Sequence, residues 1–281
     1  MLADCHTHLD QYPHADLEQV VARARNAEVT AIIVAGTTIS SSARCVALAQ
    51  ENPALFAGVG IHPTEVQAPV DEICYLWLKQ LARSSPRVVA ISEVGLDFGP
   101  DAPELALQYQ AFREQVRLAR EVRLPIIFHS REPVGRPEAH LETLRILREE
   151  RAWEVGGVMH YFQTDNAIAW KCLDLGFFIS LAKPLLRIPQ LQALAKELPL
   201  ENIILETDSY PQFFKVKRSS WTEPKDARLV AQQLAKLKGI ELEEVAQVTN
   251  ANLLSMYTGS GAHQTRLLLA NALGDTGFAK K

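Results

Sequence analysis

Along this chain, short apolar runs alternate with longer segments whose apolar residues recur every three or four positions. The runs read as strands at 2–5, 30–35, 56–60, 88–91, 125–128, 157–159, 177–181 and 202–205. The β-branched stretch TAIIVA at 30–35 is apolar on both faces, as a strand inside a parallel sheet must be. The periodic segments predict helices at 17–28, 39–52, 70–83, 103–123, 137–150, 166–175, 188–198, 225–238 and 242–257. Pro103 opens one of them, and Gly176 follows another as a C-terminal cap. Eight strands alternating with helices predict an α/β fold, a (β/α)8 TIM barrel with extra helices at the C-terminus. The competitor is an open doubly wound sheet. Polar residues decide between the two, because they follow strands one, four, five, six and eight. A barrel brings those five ends to one mouth, whereas an open sheet spreads them along an edge.

Residues 1–258 read as one barrel domain, with no linker and no internal repeat. Residues 259–281 read as a C-terminal tail. It carries a short apolar helix at 267–273, and three fates stay open for it: tucking against the barrel, joining a partner chain, or fraying.

Composition narrows the function classes. Apolar residues make up 47% of the 281 and charged residues 22%, ordinary values for a globular protein. The net charge of -4 excludes a broadly basic, nucleic-acid-coating surface, so any such contact must be local to a site. Cys5, Cys45, Cys74 and Cys172 form no CxxC pair, which points to free thiols in a reducing compartment. No secretory signal and no membrane-length apolar run is visible, so the expected localisation is cytoplasmic, with no membrane contact.

The candidate chemistry lies at the strand ends. His6 and His8 alternate along the first strand and should share a face, whereas Cys5 between them should face the core. Glu93 follows VVAIS, His129 follows PIIF, His160 follows GGVM and Asp208 follows NIILET. Singly, each could be a capping or loop residue. Together at one rim, His6, His8, Glu93, His129, His160 and Asp208 can hold two divalent metal ions, with Glu93 bridging. Arg131 and, on the loop after strand eight, Lys217 and Arg218 could meet a phosphate. A solvated charged loop is the other reading of these three. Trp221 nearby could stack on a base or simply pack.

Motifs in order then carry a resemblance. DCHTHLD at 4–10, GIHP at 60–63, SEVGLD at 92–97, HSRE at 129–132, HYF at 160–162, ETDS at 206–209 and, more loosely, VTNANLLSMY at 248–257 span nearly the whole chain. The sequence resembles the TatD family of metal-dependent hydrolases, the DNase branch of the amidohydrolase-like barrels. The resemblance implies that His6, His8 and Asp208 hold a first metal, His129 and His160 a second, and Glu93 both. It also implies that Asp208 orients or deprotonates the attacking water and that His62 lies near the substrate phosphate. Departures from the usual pattern are Ser92 for glycine, Phe98 for tyrosine, Tyr210 inside the usual ETDSP, and a looser basic loop at 215–224. They bear on substrate preference and remove no ligand.

Four histidines favour Zn2+ or Mn2+, whereas the family association is with Mg2+. The leading expectation is a dinuclear deoxyribonuclease or ribonuclease that cleaves phosphodiester bonds, with 3′ exonuclease action as its expected form. The alternatives are an ester or amide hydrolase of lactone or aminoacyl-tRNA type on the same barrel, and a metal-binding scaffold without turnover.

Overall fold

The computed structural model describes residues 1–132, 138–257 and 262–275. Eight strands run around one sheet in chain order: β1 (Leu2–Thr7), β2 (Val29–Ala35), β3 (Leu55–Val59), β4 (Val88–Asp97), β5 (Ile126–Arg131), β6 (Gly157–Met159), β7 (Phe178–Leu181) and β8 (Ile203–Leu205). Every neighbouring pair is parallel. The ends of the sheet meet at a parallel bridge between Thr7 and Ser209. Across it, His8 N donates to Ser209 O at 2.8 Å, and Asp208 N donates to His6 O at 3.0 Å. The sheet thereby closes into the expected TIM barrel.

Among the described residues, seven α-helices connect the strands: α1 (His14–Asn26), α2 (Ile39–Glu51), α3 (Glu72–Arg83), α4 (Leu105–Val122), α5 (Glu138–Glu149), α6 (Asn166–Asp174) and α7 (Pro189–Glu197). Three follow β8: α8 (Ala227–Lys238), α9 (Leu242–Ser255) and α10 (His263–Ala272). Pro137, the expected first residue of the fifth helix, lies outside the described residues. No described helix is long and apolar enough to cross a membrane.

Two apolar layers hold the barrel. The larger one lies between strands and helices, where Leu2, Ile32 and Val34 meet Leu17, Val20 and Val21 of α1 and their counterparts on other helices. The inner one gathers Ala3, Cys5, Ile33, Phe56, Val89, Ile127, Val158 and Ile204 from the strands. Leu253, Leu254, Tyr257, Leu269 and Leu273, from α9, α10 and the residues beside them, close it from below. The expected helix at 267–273 thus starts earlier, and Thr265 Oγ1 fixes it to Pro86 O at 2.9 Å. Residues 259–261 and 276–281 of the expected tail lie outside the described residues.

Three strands run further than the apolar runs predict. β1 extends through His6 and Thr7, β4 through SEVGLD, and β5 through HSR. The cause in β4 and β5 is mutual pairing: Gly95 lies opposite His129, Leu96 opposite Ser130 and Asp97 opposite Arg131. Gly95 has φ +144, and a Cβ there would lie 1.9 Å from His129 O, so only glycine lets the two strands approach. In β1 a register shift between Asp4 and Thr7 breaks strict alternation. Cys5 is core, as expected, but it does not turn away from the site: its Sγ lies 3.7 Å from Glu206 Oε2, inside the barrel.

Candidate metal centre

All six expected donors converge at the mouth formed by the C-terminal ends of the strands. Glu93 is their centre. Its Oε2 faces β1, 3.3 Å from His6 Nε2 and 3.4 Å from His8 Nε2. Its Oε1 faces the other side, 3.0 Å from His129 Nδ1 and 2.7 Å from His160 Nε2. Asp208 Oδ1 completes the β1 side at 3.4 Å from His8 Nε2 and 3.9 Å from His6 Nε2. His6, His8 and Glu93 form one group whose donor atoms lie within 4.8 Å of one another, and His6, His160 and Asp208 form a second.

Several of these residues need help to stay in place. Asp208 has φ 51, a left-handed conformation that aspartate tolerates better than most residues. Asp4 grips the neighbouring residue: its Oδ1 accepts from Thr207 N at 2.9 Å and its Oδ2 from Thr207 Oγ1 at 2.6 Å. Burial would raise Asp208, but the His8 hydrogen bond and the surrounding imidazoles hold it at about 2.

Two carboxylates that the sequence reading passed over stand behind the rings. Asp97 Oδ2 lies 3.1 Å from His129 Nε2, on the side of the ring away from Glu93. Glu206 Oε1 lies 3.6 Å from His160 Nδ1 and accepts from Tyr161 N at 2.7 Å, while Glu206 Oε2 accepts from Ser180 Oγ at 2.6 Å. Such acids fix the tautomer of a metal-binding histidine and raise its basicity. Helix α4 adds two buried glutamines. Gln108 holds both backbone groups of Asp97, and Gln115 accepts from Ile61 N at 2.7 Å and donates to Ile61 O at 3.1 Å.

His62 follows Ile61 and points into the same cluster, its Nε2 3.3 Å from Glu93 Oε1. Its Nδ1 accepts from Thr64 N at 3.2 Å, which leaves the proton of the neutral ring on Nε2. His62, Glu93 and His129 form a third group whose donor atoms lie within 4.8 Å of one another. A cavity of about 810 Å³ opens above the cluster, with Gln11, Arg131, Tyr161 and Tyr210 on its wall. Arg131 is well exposed, with Nη1 3.6 Å from Asp97 Oδ2. Lys217 is exposed and outside that wall. Arg218 also lies outside it and is already paired, 3.5 Å from Asp16 Oδ2 and 3.3 Å from Glu223 Oε1, over the Trp221 ring at 4.0 Å. Trp221 itself is buried packing.

Comparison with known proteins fits this geometry. The family described as TatD related DNase matches residues 3–258. The chain belongs to the TatD family. It is 34% identical over 264 residues to the metal-dependent hydrolase YabD of Bacillus subtilis, covering 92% of this chain and 99% of that one. It is 33% identical over 250 residues to the 3′-5′ ssDNA/RNA exonuclease TatD of Edwardsiella piscicida, covering 86% and 93%. The crystal structure of YJJV, a TatD homologue from Escherichia coli, superposes with a TM-score of 0.80 at 29% identity, covering 91% of this chain and 97% of that one. As a TatD-family protein the chain is a metal-dependent hydrolase. Its departures from the TatD pattern leave every donor in place. Ser92 fits because Gly58 opposite has no Cβ, which would lie 2.6 Å from that of Ser92. Phe98 packs near the Tyr109 ring, and Tyr210 joins the cavity wall.

Proposed function

We propose that this protein is a dinuclear-metal phosphodiesterase that cleaves DNA or RNA, trimming single strands from the 3′ end. One observation carries the reading: the two oxygens of Glu93 face two different sets of histidines. A carboxylate so divided suits a bridge between two ions.

The donors fit cations. Glu93 Oε1 lies 3.0 Å from His129 Nδ1, and both nitrogens of buried His6 make no hydrogen bond. Such an array is repulsive unless positive charge lies within it. Burial alone would lower His8 and His160. Asp208 and Glu93 instead carry His8 to about 10, and Glu93 with Glu206 carries His160 well above the ordinary imidazole value. His6, His8, Asp208 and Glu93 would hold one ion, and His129, His160 and Glu93 the other. Zn2+ and Mn2+ suit the nitrogen donors, and Mg2+ the oxygens.

Divalent ions at such a centre acidify a water and offset the charge of a phosphate. The protein's own groups supply the rest. Asp208, kept ionised, accepts the proton of the attacking water. His62 donates Nε2–H to a phosphate oxygen. The Arg131 fork reaches a second one from the cavity wall. With a net charge of -4, the chain meets its polyanion through local sites rather than a broadly basic surface. Four free thiols suit a reducing cytoplasm.

The test is turnover of a labelled single strand with each metal added. Glu93→Gln and Asp208→Asn should each lower turnover more than about 100-fold. Cleavage at the wild-type rate by either variant overturns the assignment. Acyl-ester or lactone hydrolysis with no oligonucleotide cleavage replaces it with the ester-hydrolase reading.

A further inference from the structure

The loop that follows β8 carries the three most exposed large apolar side chains among the described residues. Phe213 is 71% exposed, Phe214 72% and Val216 101%. Lys215 and Lys217 alternate with them; Lys215 Nζ donates to Ser220 O at 3.0 Å and lies 5.9 Å from the Phe214 ring centroid, and Lys217 is exposed. Exposed aromatics are costly in water and call for an occupant. The interleaved cations say what kind.

The loop braces Phe213. Phe213 meets the Trp221 ring edge-on, centroids 5.1 Å apart and planes at 90°. Trp221 is buried and leans on buried Tyr12 at 6.2 Å. Arg218 lies over both rings, at 4.0 Å and 5.4 Å, and is held by Asp16 and Glu223. Tyr12 OH donates to Thr222 O at 3.1 Å, and Gln212 Oε1 accepts from Thr222 N at 2.9 Å, tying the two ends of the loop together. Aromatic rings therefore run from buried Tyr12 through Trp221 out to Phe213. Along the chain, Phe213 is five residues past Asp208, at most roughly 17 Å of extended backbone.

We propose that Phe213 and Phe214, flanked by Lys215 and Lys217, form a stacking platform for single-stranded nucleic acid that leads a strand to the metal centre. The inference rests on the phosphodiesterase reading. Bases stack on the two phenyl rings, and the lysines meet the phosphates between them. Stacking of this kind takes any base, because each has a flat face. A duplex hides its faces, so the platform selects single strands. Arg218, expected from sequence to touch phosphate, instead braces the run of rings.

The test separates binding from turnover. Binding is read by fluorescence anisotropy with a labelled, phosphorothioate-linked thymidine 15-mer. Turnover is read with bis(p-nitrophenyl) phosphate, too small to reach the loop. Phe213→Ala with Phe214→Ala should weaken 15-mer binding roughly 10-fold or more. Small-ester turnover should not change. An abasic 15-mer should bind wild type and variant alike. Lys215→Gln with Lys217→Gln should lower the salt dependence of binding by up to about 1.4 in log–log slope. Unchanged 15-mer binding by the phenylalanine variant, or an equal loss on the abasic strand, overturns the platform. A shift from dimer to monomer in sedimentation with 15-mer binding intact also overturns it, in favour of a protein contact. Absence of wild-type turnover on every phosphodiester defeats the phosphodiesterase reading separately, since the anisotropy result stands without it.

Discussion

His129 lies between two carboxylates, Asp97 at Nε2 and Glu93 at Nδ1. The first decides what the second can use, because a ring that gives its proton to Asp97 offers a lone pair on the opposite side. Asp97→Asn keeps the shape but loses the charge. Metal titration by calorimetry should show affinity for the ion on the His129–His160 side falling about 10–100-fold, with the His6–His8 side unchanged. A two-site titration identical to wild type would contradict that role. That these six residues meet at one mouth was readable from sequence because each comes at the end of a buried run, where a polar group is costly without a partner. Asp97 and Glu206 were not, since their histidines come from other strands. The one available signal was spacing: each lies an even number of residues from a donor on its own segment. Arg218 is harder to read for the opposite reason. A basic residue in a loop near the site looks like a phosphate contact until Asp16, Glu223 and Trp221 are seen to occupy it.

At the scale of elements, α4 does more than cover the sheet. Its apolar face was legible from the recurrence of Ala111, Phe112, Val116 and Ala119, but two glutamines are buried in that same face. Gln115 satisfies both backbone groups of Ile61, one residue before His62. Gln115→Leu fits the space but leaves those groups unpaired. Urea unfolding should show a loss of about 1–3 kcal/mol, and KM for oligonucleotide should rise as His62 shifts. A stability change under about 0.5 kcal/mol would remove this account. Strand ends were the least legible boundaries. β4 and β5 continue past their apolar runs because they pair with each other, and no single run contains that information.

The whole molecule was legible as a count: eight strands alternating with helices admit few arrangements. How the barrel closes and what fills its lower end were not, since both depend on contacts between the first and last parts of the chain. β1 meets the segment after β8 through Thr7 and Ser209, and α9 and α10 fold underneath. The seam has a further effect. His6 and His8 stand on one side of it and Asp208 on the other, so an ion held by all three is a clasp across the join between the chain's beginning and its end. Hydrogen–deuterium exchange can watch the clasp. The amides of His8 and Asp208, which bond across the join, should exchange more slowly with divalent metal than with chelator, while amides of α7 keep their rates. Equal protection at the join in both conditions would mean that the ion stitches nothing.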